Sequence, residues 1–343
     1  MPAVPIAIVV PAYRSRYLGE TLAAFANQTD RRFRLYVADD GSPELLARIV
    51  EPFAGRIDLV YRRFSENFGR DRLGQHWERA IRLSTEPWVW LFSDDDLAAP
   101  DCVAALLGHL AASRETPGLL RFDLEFIDAA GTLLRREATF PTRLTAEEYA
   151  YRLLSQPRES CVIQNIVFRR AVFEAAGGFV DFPGGLGTDY ATWPQLSRTG
   201  GVTRLRGGRV RFRIHAESLG SSYGSEAAAR PDMIRAHARV VRELRKVAGA
   251  ETAASSRWRR AELVWLGHWL SNLSRPLRAD ERAQLAGEMA VLWPERRVAR
   301  SVFLWRNHFV CRLRLFTRAY PRSMRFFRGR CGLVRSRANQ HSD

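Results

Sequence analysis

Over its first hundred residues the chain alternates short apolar runs with stretches of helical spacing. That alternation commits it to a parallel sheet covered by helices on both faces. Residues 5–12, PIAIVVPA, read as a fully buried strand. Residues 18–28, LGETLAAFANQ, place Leu18, Leu22, Phe25 and Ala26 at helical spacing. A second strand at 33–38, FRLYVA, runs into DDGSPE, a turn that opens a helix. Ser42 suits the cap of that helix, Pro43 its first position and Glu44 its first turn. A third strand near 57–63, a helix at 72–83 and a fourth strand at 87–92, PWVWLF, follow. Sheets of this kind bind ligands in the crevice beyond the carboxyl ends of their strands.

Two of those strand ends are acidic: Asp39-Asp40, and the triplet Asp94, Asp95 and Asp96. Three adjacent carboxylates repel one another, and they are tolerated on a solvated turn or beside a cation. Alone, the triplet reads as a polar turn. With a second acidic end on the same edge, a divalent cation holding a phosphorylated ligand becomes the better reading. Hard oxygen ligands suit Mg²⁺ or Mn²⁺ rather than zinc. Neither GxxxxGK[ST] nor a GxGxxG after the first strand is present, so phosphates are not held as in kinases or dehydrogenases.

Further along, LLRFDLEFID reads as a strand and CVIQNIVFRRAVFEAAGGF as a strand running into a short helix. DFPGGLGTDYATWPQLSRTGG is glycine-rich, then acidic at Asp189, then helical. A carboxylate at a helix start behind glycines is a candidate base on a mobile loop, or simply a helix cap. Residues 202–214 return as a strand that leads to His215.

The net charge of +16 is unevenly placed. Residues 230–343 carry 25 Lys+Arg against 9 Asp+Glu, so the whole excess lies in the last third. The break sets an expected boundary near Ser225–Pro231, and the basic third is expected to face something anionic. Within residues 297–330 Val302, Leu304, Trp305, Phe309, Leu313 and Phe316 recur at roughly helical spacing with arginines between them. Such a helix suits an anionic membrane surface, or packs its aromatics back on the protein. No apolar run approaches the ~18–20 residues of a membrane span. The N-terminal MPAVPIAIVVPAYRS does not read as a signal peptide, which makes the cytoplasm the expected location, with a peripheral place on the inner face of the membrane. Four scattered cysteines show neither zinc nor disulfide spacing. Lys246 is the only lysine, a composition that suggests a GC-rich bacterial genome.

AIVVPAYRSRYLGETLAAFANQTDRRFRLYVADDGS, the N-x-G at Asn67 and Gly69, the W-x-x-L-F-S-D-D-D strand end, and GGF ahead of GTDYATW come in a specific order. Together they resemble the family 2 glycosyltransferases over roughly residues 5–220. The resemblance implies an A-type glycosyltransferase fold: a Rossmann-like, mostly parallel sheet flanked by helices. It implies a catalytic domain at 1–225, with a nucleotide-sugar part at 1–100 and an acceptor part at 101–225. A helical, Arg-rich region follows at 226–343.

Residue by residue, Pro11, Ala12 and Tyr13 match the segment lining the nucleotide base. Asp40, with Asp39 beside it, matches the carboxylate that reads a pyrimidine. Asn67 and Arg70 fall in the donor-binding segment, where Arg70 or Arg72 meets the diphosphate or is solvated surface. Asp94 and Asp95 match donor binding, and Asp94, Asp95, Asp96 and His215 the metal site, with Mg²⁺ or Mn²⁺. Asp189 matches the base of inverting members, although Thr188 stands where those members carry a glutamate. The implied reaction is transfer from a UDP- or dTDP-sugar to a hydroxyl of a saccharide or lipid-linked acceptor in cell-envelope polysaccharide synthesis. A nucleotidyltransferase is the alternative, but AYRSRYLGE is a poor match to its glycine-rich signature. A nucleic-acid-binding protein acting through the basic third leaves the acidic strand ends unexplained, and no nucleic-acid partner is expected.

Overall fold

The computed structural model describes residues 5–113, 117–157, 159–218, 230–271 and 277–294. Among these, the strands are β1 (Ile6–Ala12), β2 (Arg34–Asp39), β3 (Leu59–Arg63), β4 (Trp88–Leu91), β5 (Leu97–Ala98), β6 (Leu119–Ile127), β7 (Leu133–Arg136), β8 (Arg143–Leu144), β9 (Ile166–Arg169) and β10 (Val202–Arg213). Helices α1 (Leu18–Ala26), α2 (Leu46–Val50), α3 (Leu73–Ile81), α4 (Cys102–Ala112), α5 (Ala146–Ser155), α6 (Arg170–Ala175) and α7 (Thr188–Leu196) lie between them. The strands form one sheet in the order β3-β2-β1-β4-β9-β6-β10-β5, with β7 on β6 and β8 on β10.

The first four strands pair in parallel, as their alternation with helices requires. Beyond β4 the sheet is mixed. β9 runs antiparallel between β4 and β6, while β10 returns parallel to β6. The parallel half is read directly from the sequence. The antiparallel insertion is not, because β9 reaches its place from far along the chain.

The core lies under β1, β4 and β6. Trp90 stacks on Phe122 at 4.8 Å and meets Phe25 edge-on at 5.7 Å and Phe92 at 5.2 Å. Its indole N–H donates to the Gln164 carbonyl at 2.6 Å, which anchors the segment before β9 to the core. The best-formed cap among the described helices is the capping box of Thr145 and Glu148 on α5. The helix expected from Ser42 begins later, at Leu46, and is short. Ser42 still accepts the Glu44 amide at 3.0 Å, while its hydroxyl donates to the Tyr13 carbonyl at 2.6 Å and its amide to Asp39 at 2.7 Å.

A bulge interrupts β10 between Arg204 and Arg209. Gly208 sits there at φ 67°, and a Cβ would come within 2.9 Å of the Cys102 Cα, so a glycine is required. Beyond the bulge the last residue of the strand, Arg213, meets the turn after β4 through Asp96.

The chain divides into two compact units, one of residues 1–222 with 236–265 and one of 223–235 with 266–343. In the first, Val240, Val241, Leu244, Trp258 and Trp265 are buried. In the second, the helix Ala279–Leu292 buries Leu285, Met289 and Leu292. The boundary expected at 225 falls outside the described residues, as does the Arg-rich stretch 297–330. Among the described residues no helix is long and apolar enough to cross a membrane.

Replacing the buried Trp90 by alanine removes the centre of the aromatic cluster. Trp90→Ala is expected to lower the unfolding free energy by about 3–5 kcal/mol, read from urea denaturation midpoints at unchanged slope.

Candidate active site

The acidic turn follows β4 and separates its three carboxylates by environment. Asp96 is buried and turned inward: its oxygens accept from the Arg213 amide at 2.6 Å and the Gln164 side chain at 2.5 Å. Burial, and Asp95 beside it, push its carboxyl well above the usual range. Asp94 is half-buried and accepts the amides of Tyr13 at 3.0 Å and Arg14 at 3.3 Å, which ties the end of β1 to the turn. Desolvation, then Asp95, push it up to about 7. Asp95 is more open and meets His215 Nε2 at 2.9 Å. Asp94, Asp95 and His215 therefore come together at the strand ends, and Asp96 is a structural member of the turn.

One buried cation organises this arrangement. The Arg213 side chain is wholly buried; it donates to the Asp95 carbonyl at 2.8 Å, the Ala129 carbonyl at 3.0 Å and Glu20 at 2.7 Å. Its guanidinium lies 4.3 Å over the Tyr17 ring. That ring is in turn 5.0 Å from His215.

At the end of β2, Asp39 is fully buried and accepts from Tyr61 at 2.5 Å and Arg63 at 3.3 Å, besides Ser42. Burial and this bond push the Tyr61 phenol up to about 12. Asp40 accepts the amides of Phe68 and Gly69, each at 3.0 Å, and the Arg79 guanidinium, while Asn67 donates to its carbonyl at 2.7 Å. His76 lies 3.3 Å from Asp40, and burial pulls its imidazole down to about 4, so it is neutral. Phe68 is held between the guanidinium groups of Arg72 at 3.9 Å and Arg79 at 3.7 Å. Arg70 is half-buried on the same loop. Pro11 and Ala12 are at the end of β1 and Tyr13 is exposed just beyond it.

On the other side, α7 begins at Thr188 after Gly187, whose φ of 96° suits only glycine. Asp189 accepts the Tyr190 amide at 2.9 Å, and desolvation raises its carboxyl to about 7. Burial raises the Cys161 thiol well above its ordinary value, with the Asp189 charge a lesser influence. Cys161 lies in the segment that leads to Gln164, the partner of Asp96. That segment is fixed by buried ion pairs: Arg121 with Glu137 at 2.7 Å, Arg152 with Glu159 at 2.6 Å, and the Ser160 amide on Glu137 at 2.5 Å.

Residues 7–175 match the family model described as Glycosyl transferase family 2. These residues, just under half of the chain, are similar to those of the family 2 glycosyltransferases. Abequosyltransferase RfbV of Salmonella typhimurium is 27% identical over 110 residues, which is 31% of this chain and 32% of its own length. Chondroitin synthase of Pasteurella multocida is 43% identical over 58 residues, 16% of this chain and 6% of its own. The chain thus spans a third or less of the length of these curated relatives. Among solved structures, S. aureus TarS 1–349 superposes with a TM-score of 0.63 at 14% identity, with 92% of each chain covered. The same protein in complex with UDP-GlcNAc gives 0.63 at 13%, again with 92% of each chain covered. These likenesses establish the A-type glycosyltransferase fold, with its curled central sheet flanked by helices.

A divalent cation in such a family 2 site takes one or two carboxylates and completes its shell with ligand phosphates. Asp95 and His215, with Asp94 beside them, fit that role. Among the described residues no group of three or more His, Cys, Asp or Glu is set to hold a metal alone. Arg213, Gln164 and Arg121 were not legible as site residues, because strand alternation does not say which of many arginines is buried.

The raised Asp189 carboxyl gives a stability signature. Between its ordinary value of 3.8 and about 7 the folded chain holds a proton that the unfolded chain has released. Stability is therefore lost as pH rises through that window. Asp189→Asn is expected to raise the melting temperature over the parent at pH 8 and to leave it unchanged at pH 4.

Proposed function

We propose that the protein is an inverting glycosyltransferase that moves a sugar from a nucleotide-sugar to a hydroxyl of a saccharide or lipid-linked acceptor. The observation that carries this reading is that carboxylates in unlike environments stand at the end of β4 and at the start of α7. Asp95 is partly exposed and bonded to His215, while Asp189 is desolvated at the start of α7. Environments that push carboxyl groups apart divide their roles. Asp189, near neutrality, takes the acceptor proton as that oxygen attacks the anomeric carbon. The bond to the leaving diphosphate breaks as the new bond forms, so the configuration inverts. Asp95 and His215, with Asp94 beside them, would hold a divalent cation, Mg²⁺ or Mn²⁺, which would offset the charge that develops on the diphosphate.

The donor is a UDP- or dTDP-sugar. The loop at 64–72 packs on Asp40 and, with Pro11, Ala12 and Tyr13, supplies the base side of the crevice. Residues 1–225 serve as the catalytic region, with donor binding in 1–100 and acceptor binding in 101–225. The Arg-rich residues 297–330 rest on an anionic membrane surface at the cytoplasmic face, where a lipid-linked acceptor is presented. Sedimentation with anionic vesicles, weakened by salt and lost on removal of residues 297–343, tests that part.

The catalytic assignment is tested by kinetics on a screened donor. Asp189→Asn is expected to keep nucleotide affinity and lower kcat by about 10²–10⁴-fold. The parental kcat is expected to rise with pH as Asp189 deprotonates near 7. Near-parental turnover of Asp189→Asn removes Asp189 from the mechanism. Asp95→Asn is expected to abolish Mn²⁺-dependent diphosphate binding, read by calorimetry.

A further inference from the structure

The crevice lacks a phosphate-binding glycine loop, yet two arginines stand at its rim already joined to an anion. The loop after β1 carries Arg14 and Arg16. Arg14 is ion-paired with Glu217 Oε2, and Arg16 Nη1 meets Glu217 Oε1 at 3.1 Å. One carboxylate thus holds two guanidinium groups, one on each oxygen, and the trio keeps a net positive charge. Its place is fixed relative to the acidic turn. The Arg14 amide donates to Asp94, and the Arg16 guanidinium lies 5.0 Å over the Tyr17 ring. The same ring is 5.0 Å from His215, the partner of Asp95. Tyr17 is 6% exposed, and its hydroxyl has no hydrogen-bond partner among the described residues.

We propose that Arg14 and Arg16 form a clasp for the donor's diphosphate, and that Glu217 occupies this clasp until the donor enters. The proposal rests on the nucleotide-sugar reading above. Guanidinium forks match phosphate oxygens in bidentate fashion, and a diphosphate carries more charge than one carboxylate. Both arginines and Glu217 are about half exposed, and ion pairs of that kind contribute little, so exchanging one anion for another costs little. Glu217 is then a competitor built into the chain. It keeps the clasp together when empty and weakens diphosphate binding by the strength of its own pairing.

Calorimetry with Mn²⁺ on the full chain tests this, using UDP (dTDP where UDP does not bind), inorganic pyrophosphate and uridine. Glu217→Gln is expected to tighten UDP and pyrophosphate by about five-fold and leave uridine unmoved. Arg14→Gln/Arg16→Gln is expected to weaken both by about ten-fold or more at an unchanged melting temperature. If the parent binds UDP and Glu217→Gln binds it equally or more weakly, the clasp is overturned and the nucleotide-sugar reading stands. If the parent binds neither nucleoside diphosphate nor pyrophosphate, both fall. Pyrophosphate that binds to protein saturated with UDP assigns the arginines to a separate anion, such as a lipid diphosphate, and also overturns the proposal.

Discussion

The burial of Arg213 is the constraint on which the site depends. Taking a guanidinium out of water costs several kcal/mol unless its donors are met. Here they are met by Glu20 and by the carbonyls of Asp95 and Ala129, from three separate parts of the chain. The cation therefore does more than neutralise an acidic neighbourhood. By holding the Asp95 carbonyl it fixes the backbone from which the Asp95 carboxylate projects, and its own amide takes up Asp96. Three like charges at one strand end become tolerable because each is treated differently: one is buried and bonded, one is bonded to amides, and one is bonded to His215.

A similar economy of placement holds at Asp40. Its carboxylate accepts two amides and Arg79, so the loop at 67–69 is pinned to the end of β2. The neutral His76 and the Arg72–Phe68–Arg79 stack give this side of the crevice a flat, cationic edge. The segment around Cys161 is built on other terms. Its ion pairs, Arg121–Glu137 and Arg152–Glu159, are largely buried. The end of β2 is thus shaped by backbone amides and aromatic faces, and the segment around Cys161 by internal salt bridges.

The parallel half of the fold was legible because β1, β2 and β4 are buried on both faces and so read as unbroken apolar runs. The acidic ends of β2 and β4 and the glycine-to-aspartate step at Asp189 were legible because each departs sharply from what precedes it. What could not be read was pairing at a distance. Nothing in WVWLFSDDD says that Asp96 points inward, since that follows from Gln164 and from a strand more than one hundred residues later. Arg213 is one arginine among several in RLRGGRVRFR; Arg209 and Arg211 share its alternation after the bulge and stay partly exposed, while Arg213 is buried against Glu20 and Tyr17. Ser42 accepts the Glu44 amide as a cap does, but Tyr13 and Asp39 also hold it at the strand end, and the helix begins only at Leu46.

The strand order has a consequence for how the molecule reaches its native state. β4 lies beside β9, and the turn after it is closed by residue 213, with a separation of 117 residues between Asp96 and Arg213 and 193 between Arg213 and Glu20. Contacts so remote carry a large loop-closure entropy and form late. During synthesis the first four strands emerge and can associate well before the arginine that settles their acidic turn exists. The part of the protein that reads most clearly in sequence is thus the part that forms early, and its chemistry waits on the last strand to dock.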